Sequence, residues 1–128
     1  MKLETLVSDM MKMNVLARLW HWSTDVAQHH VTFEQFLTQN ETFTDSLVES
    51  ALGNDLELNI TKVVVIEAVN PAYSIEFARK EISNYRERVS QARAHVDESN
   101  KASGNELVAI LDDAIENASK TLYLLKLK

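Results

Sequence analysis

Three of the four histidines, His21, His29 and His30, sit within ten residues of one another, and carboxylates follow them at helical spacing. Placing His30 at zero on a helical wheel puts Glu34 near roughly 40°, Asp45 near roughly 60° and Glu49 near roughly 100°. Phe33, Phe36, Leu37, Phe43, Leu47 and Ala51 fall between roughly 220° and 340° on the same wheel. An acid–imidazole stripe therefore borders an apolar stripe on one helix. His29 points to the apolar side; His29 and His95 are both expected to be ordinary surface or packed residues rather than ligands. Mixed imidazole and carboxylate donors suit iron(II), manganese or zinc rather than calcium.

Distance limits how that stripe can work. Glu34 and Asp45 are eleven residues apart, about 16 Å along a helix. They cannot reach one metal pair from a single straight helix. A second copy packed antiparallel across a two-fold axis solves this, because an isologous contact makes two equivalent sites. His30 and Glu34 of one chain then face Asp45 and Glu49 of the other, and His21 closes the first half. The Glu-x-x-His pairs of an intrasubunit di-iron bundle are absent from the sequence.

The elements that must carry these residues are helices. Two glycines and one proline in 128 residues leave few sharp turns. Leu3, Leu6, Met10, Met13, Leu16 and Trp20 recur at helical steps over about Lys2–Trp22. Trp20 and Trp22, which flank His21, are expected to be packing anchors. Ser23, Thr24 and Asp25 offer a break and a cap for a second helix over about Val26–Leu52. Weak helix formers over Asn40–Thr44 allow a local distortion. Gly53 is expected to take the left-handed C-cap. Residues 54–69 include a β-branched run at Val63–Ile66 that suits a short strand or a short buried helix; the segment is expected to cross between helices. Asn70-Pro71 marks a start for helix three, expected to reach Val96 with Tyr73, Phe77, Ile82, Tyr85, Val89, Ala92 and Val96 inward. Ser103 and Glu106 form a capping-box pattern ahead of helix four, over about Asn105–Leu125. The expectation is one all-α domain spanning 1–128: an antiparallel four-helix bundle with one longer crossover between helices two and three.

Composition removes other chemistries. Without cysteine there are no disulfides, zinc-thiolate sites or iron–sulfur clusters. A net charge of −6 disfavours nucleic acid and anionic membranes as partners. The opening residues lack the apolar run of a signal peptide, and no run is long enough to span a membrane; a cytoplasmic location is expected. No Gly-rich phosphate loop and no Ser–His–Asp pattern stands out. Arg79, Arg86 and Arg93 recur every seven residues. With Glu76 and Asp97 nearby they are expected to form a solvated, salt-bridged face.

Leu19-Trp20-His21-Trp22, then His30-x-x-x-Glu34 and Asp45-x-x-x-Glu49, resembles the iron-site pattern of the Dps proteins, or mini-ferritins. The eleven-residue step from Glu34 to Asp45 is also similar to that family's spacing. Small phage-borne Dps-like proteins of unassigned function resemble the stretch more closely still. The resemblance implies a ferritin-like fold and a homodimer, with possible higher assembly. It implies a di-iron site where His21, His30 and Glu34 of one subunit meet Asp45 and Glu49 of its mate, and oxidation of iron(II) by peroxide or oxygen. Glu34 stands where the family usually has Asp. The step from His21 to His30 is shorter than usual, and no Lys-rich tail precedes helix one, so DNA binding is not expected. Motif support covers roughly residues 10–53. The alternative is a non-catalytic assembly protein that keeps the same dimer.

Overall fold

The computed structural model describes residues 2–63, 72–99 and 105–127. They form α1 (Leu3–Ser23), α2 (Ala27–Gly53), a single 3-10 turn (Ile60–Lys62), α3 (Ile75–Ser99) and α4 (Asn105–Lys126). No strand occurs among the described residues. Val63 follows the 3-10 turn in extended backbone, and residues 64–69 of the expected crossing lie outside the described residues. None of these helices is long and apolar enough to cross a membrane.

Each apolar stripe finds its complement. Leu6, Met10, Met13, Leu16 and Trp20 of α1 are buried, as are Ile82, Tyr85, Val89, Ala92 and Val96 of α3 and Leu107, Leu111, Ala114, Ala118 and Leu125 of α4. From α2 come Phe33, Phe36, Leu37, Leu47 and Ala51. Aromatic rings knit one end of this core: Trp20 lies 5.7 Å from Phe33 and 6.4 Å from Phe77, edge-on to the latter. Such pairs add to the area they bury because ring edges meet ring faces. Phe43, Tyr73 and Phe77, expected inward, are only partly buried against the core.

Side-chain contacts fix the helix directions. Asn14 meets Thr44 and Arg18 meets Glu41, so α1 and α2 are antiparallel. Ser50 meets Glu106 and Phe36 meets Asn117, so α2 and α4 are antiparallel. Arg86 meets Ser119 and Arg93 meets Asp112, so α3 and α4 are antiparallel too. It follows that α2 and α3 point the same way. The chain after Gly53 must therefore travel back along the bundle before α3 can begin, as the long connection allows.

Several expected boundaries are corrected. None of Ser23, Thr24 or Asp25 caps α2; the N-cap is Val26, with no side-chain bond. Thr24 Oγ1 instead accepts from Val26 N at 3.2 Å and closes the turn itself. No distortion interrupts α2 at Asn40–Thr44. Gly53 stays helical, and no described glycine has positive φ. Asp55 takes the left-handed conformation, φ 55°. Leu56 N donates to Ala51 O and Asp55 N to Leu52 O, which is the Schellman pattern. The apolar Leu56 packs back on the core, and that contact places the reversal at Asp55. α3 starts at Ile75, four residues later than Pro71 predicts. Ala72–Ser74 are not helical, and Ser74 Oγ accepts from Phe77 N at 3.1 Å as the cap. Asn70 and Pro71 lie outside the described residues, as does Ser103. Glu106 accepts from Ser50 Oγ and Asn54 Nδ2, which hold its carboxyl below the usual range.

A polar knot sits inside this apolar frame. Asn40 is 0% exposed. Its Nδ2 donates to Asn14 Oδ1 at 2.8 Å, with Met10 O at 3.4 Å, and its Oδ1 accepts from Tyr85 Oη at 2.8 Å. Burial pushes the Tyr85 phenol far above its ordinary range, so the hydroxyl remains a donor. Tyr85→Phe strands a buried amide oxygen and should cost about 1–3 kcal/mol. Urea unfolding checks this, and a change below about 0.5 kcal/mol would contradict it. Asp55→Gly should raise stability by about 0.5–1 kcal/mol, since glycine accepts a positive φ without Cβ crowding. That appears as a higher urea midpoint at constant m-value.

Candidate metal centre

The α1–α2 turn is three residues long, Thr24–Val26. So short a turn brings the last turn of α1 against the first turn of α2, and with them His21 and His30. The two imidazoles stack with centroids 3.8 Å apart and planes inclined by 22°. Their backbone bonds cross. His21 Nδ1 lies 2.8 Å from His30 O, and His30 Nδ1 lies 2.7 Å from His21 O. A carbonyl oxygen only accepts, so both Nδ1 atoms must carry the proton. In the neutral rings each Nε2 then keeps its lone pair. Metal-binding histidines are commonly prepared this way, with the non-coordinating nitrogen donating to a backbone carbonyl.

The same bonds also serve the helix ends. The last carbonyls of α1 have no partner within the helix. Thr24 N takes Trp20 O, and His30 takes the next, His21 O. His21 is buried at 8% exposure, whereas His30 is exposed.

Glu34 lies one turn after His30 on α2 and is exposed, as are Asp45 and Glu49 farther along. Asp45 borders an open groove of about 460 Å³ whose walls include Val7, Met11, Thr44, Val48 and Ile60. His21, His30 and Glu34 thus stand at one end of the outer α1–α2 face, with Asp45 and Glu49 toward the other. Among the described residues, no three His, Asp or Glu of a single chain come close enough to hold a metal ion.

Other features of this face are not visible in the ligand pattern. Trp22 is 68% exposed and is not the packing anchor expected, unlike Trp20. Met11, Val15 and Trp22 recur at steps of four and seven residues and form an exposed stripe on α1. That spacing is in the sequence, but the inward stripe of the same helix dominates the pattern. Arg18 lies 3.9 Å from Glu41, beside the acidic stripe. His29 is half-buried and His95 exposed, away from the stacked pair. Tyr73, edge-on to Phe33 at 6.1 Å, has a hydroxyl with no hydrogen-bond partner among the described residues, and burial raises its phenol.

Compared with known proteins, the chain matches no family model, no curated protein and no solved structure.

The crossed bonds predict the tautomer of both rings. Long-range ¹H–¹⁵N correlation spectra at neutral pH should show His21 and His30 protonated at Nδ1 and unprotonated at Nε2. His95 should show the Nε2–H preference of an exposed imidazole. Nε2–H forms for the pair would contradict the geometry.

Proposed function

We propose that this chain forms an isologous dimer through its α1–α2 face and oxidises iron(II) at two inter-subunit sites, in the manner of a mini-ferritin. His21, His30 and Glu34 of one subunit, with Asp45 and Glu49 of its mate, would hold the metal. The carrying observation is the stacked pair, whose two Nδ1 atoms are committed to backbone carbonyls while both Nε2 atoms remain free to coordinate. A ferritin-like reading of the bundle agrees with the parallel α2 and α3 and the long connection between them. The exposed apolar stripe on α1 agrees with a self-complementary contact on that face.

The donors suit the ion. Two imidazoles and three carboxylates give the mixed nitrogen and oxygen set that iron(II) accepts, with zinc and manganese as competitors. Glu34, Asp45 and Glu49 would hold the ions and balance the charge that grows as iron(II) becomes iron(III). Each iron(II) gives up one electron. Hydrogen peroxide takes two electrons and two protons and leaves as two waters, so two ions per site match one oxidant. No residue of the protein needs to change oxidation state. The protein's part is to hold two ions together with open positions for oxidant.

A non-catalytic assembly protein is the second reading. The His21–His30 pair favours it to one extent only: the crossed bonds also join α1 to α2 without any metal.

Mixed dimers separate the readings. His30→Ala with Glu34→Ala breaks one half of each site, and Asp45→Ala with Glu49→Ala breaks the other. Each double variant alone should lose at least about tenfold in aerobic or peroxide-driven iron(II) oxidation. Co-expressed at equal levels, about half the dimers are mixed, and each of these holds one intact site. The rate should then recover to about a quarter of wild type. Wild-type rates in the separate variants would remove the ferroxidase reading. Loss without recovery, in dimers shown to be mixed, would remove the shared site.

A further inference from the structure

The five arginines of the chain divide by their partners. Arg18 pairs with Glu41, Arg88 with Asp9 at 3.1 Å, and Arg93 with Asp112 at 3.0 Å and Asp97 at 3.9 Å. Arg79 and Arg86 form no ion pair among the described residues. The sequence expects Glu76 to serve Arg79 from three residues upstream, but that pair does not form. Both unpaired arginines line one groove of about 500 Å³ between α3 and α4, a different helix pair from the one that carries the stacked histidines.

The composition of this groove runs against the rest of the chain. Lys80 and Lys126 join the two arginines, and Glu76 is the single carboxylate in the wall. Four cations face one anion in a protein whose net charge is −6. Ser83 and Ser119 add hydroxyl donors. Arg86 Nη1 donates to Ser119 Oγ at 3.2 Å, which orients the guanidinium and leaves its other N–H groups free. Tyr123, 61% exposed, presents a flat aromatic face at the edge.

We propose that this groove binds a phosphate-bearing anion with a chain of phosphates, as found in a nucleoside triphosphate or a free polyphosphate. Guanidinium groups match phosphate oxygens in pairs, and ammonium groups add charge without fixed direction. A surplus of three positive charges suits a multiply charged phosphate chain better than one carboxylate. The Tyr123 ring offers a stacking surface for a base. Nothing in this site draws on the metal reading.

Calorimetric titration at low salt, in chelator and without divalent metal, tests it. Adenosine triphosphate and tripolyphosphate should both bind, adenosine should not, and added salt should weaken the binding. Arg79→Glu with Lys126→Glu should lose at least tenfold in affinity while circular dichroism confirms the helical fold. Arg79→Gln, a milder change, should lose less in the same direction. Tighter binding of the triphosphate than of tripolyphosphate, abolished by Tyr123→Ala, identifies a nucleotide; equal binding identifies the free phosphate chain. Absence of binding at millimolar ligand overturns the proposal. So does unchanged affinity in both arginine variants, or equal affinity for polyglutamate of matched charge.

Discussion

A single buried amide sets the register of this bundle. Asn40 has no access to water, and its amide is bound through both ends: to Asn14 and Met10 of α1 and to Tyr85 of α3. An apolar interface tolerates small slips, because one leucine replaces another at modest cost. A buried amide does not, since any slip strands a donor or acceptor away from water. Asn117 extends the same logic to α4 by donating to Phe36 O. These bonds decide which side of α2 faces inward. They thereby decide that His30, Glu34, Asp45 and Glu49 lie outward, although none of the four takes part in them.

That outward placement leaves the candidate ligands divided along one helix. Burial of Phe33, Phe36, Leu37 and Leu47 consumes the inner side of α2, and the bundle interior is filled by Asn40, Tyr85 and the aromatic cluster. Among the described residues, no three potential ligands of one subunit gather to form a metal centre. The proposed centre must lie on the surface and be completed from outside. The proposed two-fold arrangement rests on the lengthwise order of the residues, with His30 and Glu34 in the first third of α2 and Asp45 and Glu49 in its last third.

The helices and most of their inward faces were legible because helical periodicity is repeated over many residues. The inward stripe of α1 from Leu6 to Trp20 and that of α4 from Leu107 to Leu125 needed no tertiary information. Helix ends were less legible, for reasons that differ. Gly53 drew the expected left-handed turn, yet the pull of Leu56 toward the core moved it to Asp55. Pro71 suggested a start, but Ser74 supplies the observed cap. At the candidate site, the proximity of His21 and His30 was readable from their positions at either side of a short turn. Their crossed bonds were not, because Nδ1 geometry depends on how closely α1 and α2 approach. Trp22 was misjudged for a related reason: adjacent residues on a helix point about 100° apart, so a buried His21 says nothing in favour of burying Trp22. The expected pairing of Arg79 with Glu76 rested on spacing alone, and three-residue spacing permits an ion pair without requiring one.

Capping the end of α1 explains part of the histidine pair but not its neighbours. A helix carbonyl is satisfied by any suitable donor, and an asparagine side chain would serve. Imidazole brings a second nitrogen, and on the same helix a run of carboxylates begins eleven residues after His30. Glu41, Asp45 and Glu49 follow one another at four-residue steps, a spacing at which like charges cost a helix a few tenths of a kcal/mol per pair. Arg18 relieves only Glu41. An isologous contact through this face would press Glu34 of each copy toward Asp45 and Glu49 of the other and add to that repulsion. Apolar contact from Met11, Val15 and Trp22 favours such a dimer, while the acidic stripe opposes it. A divalent cation at each end would reverse the sign of the opposing term, turning the three carboxylates of the proposed site from a cost into a ligand set. A dimer without metal has no such compensation, and on that ground the metal-binding reading is preferred to an assembly that has lost it.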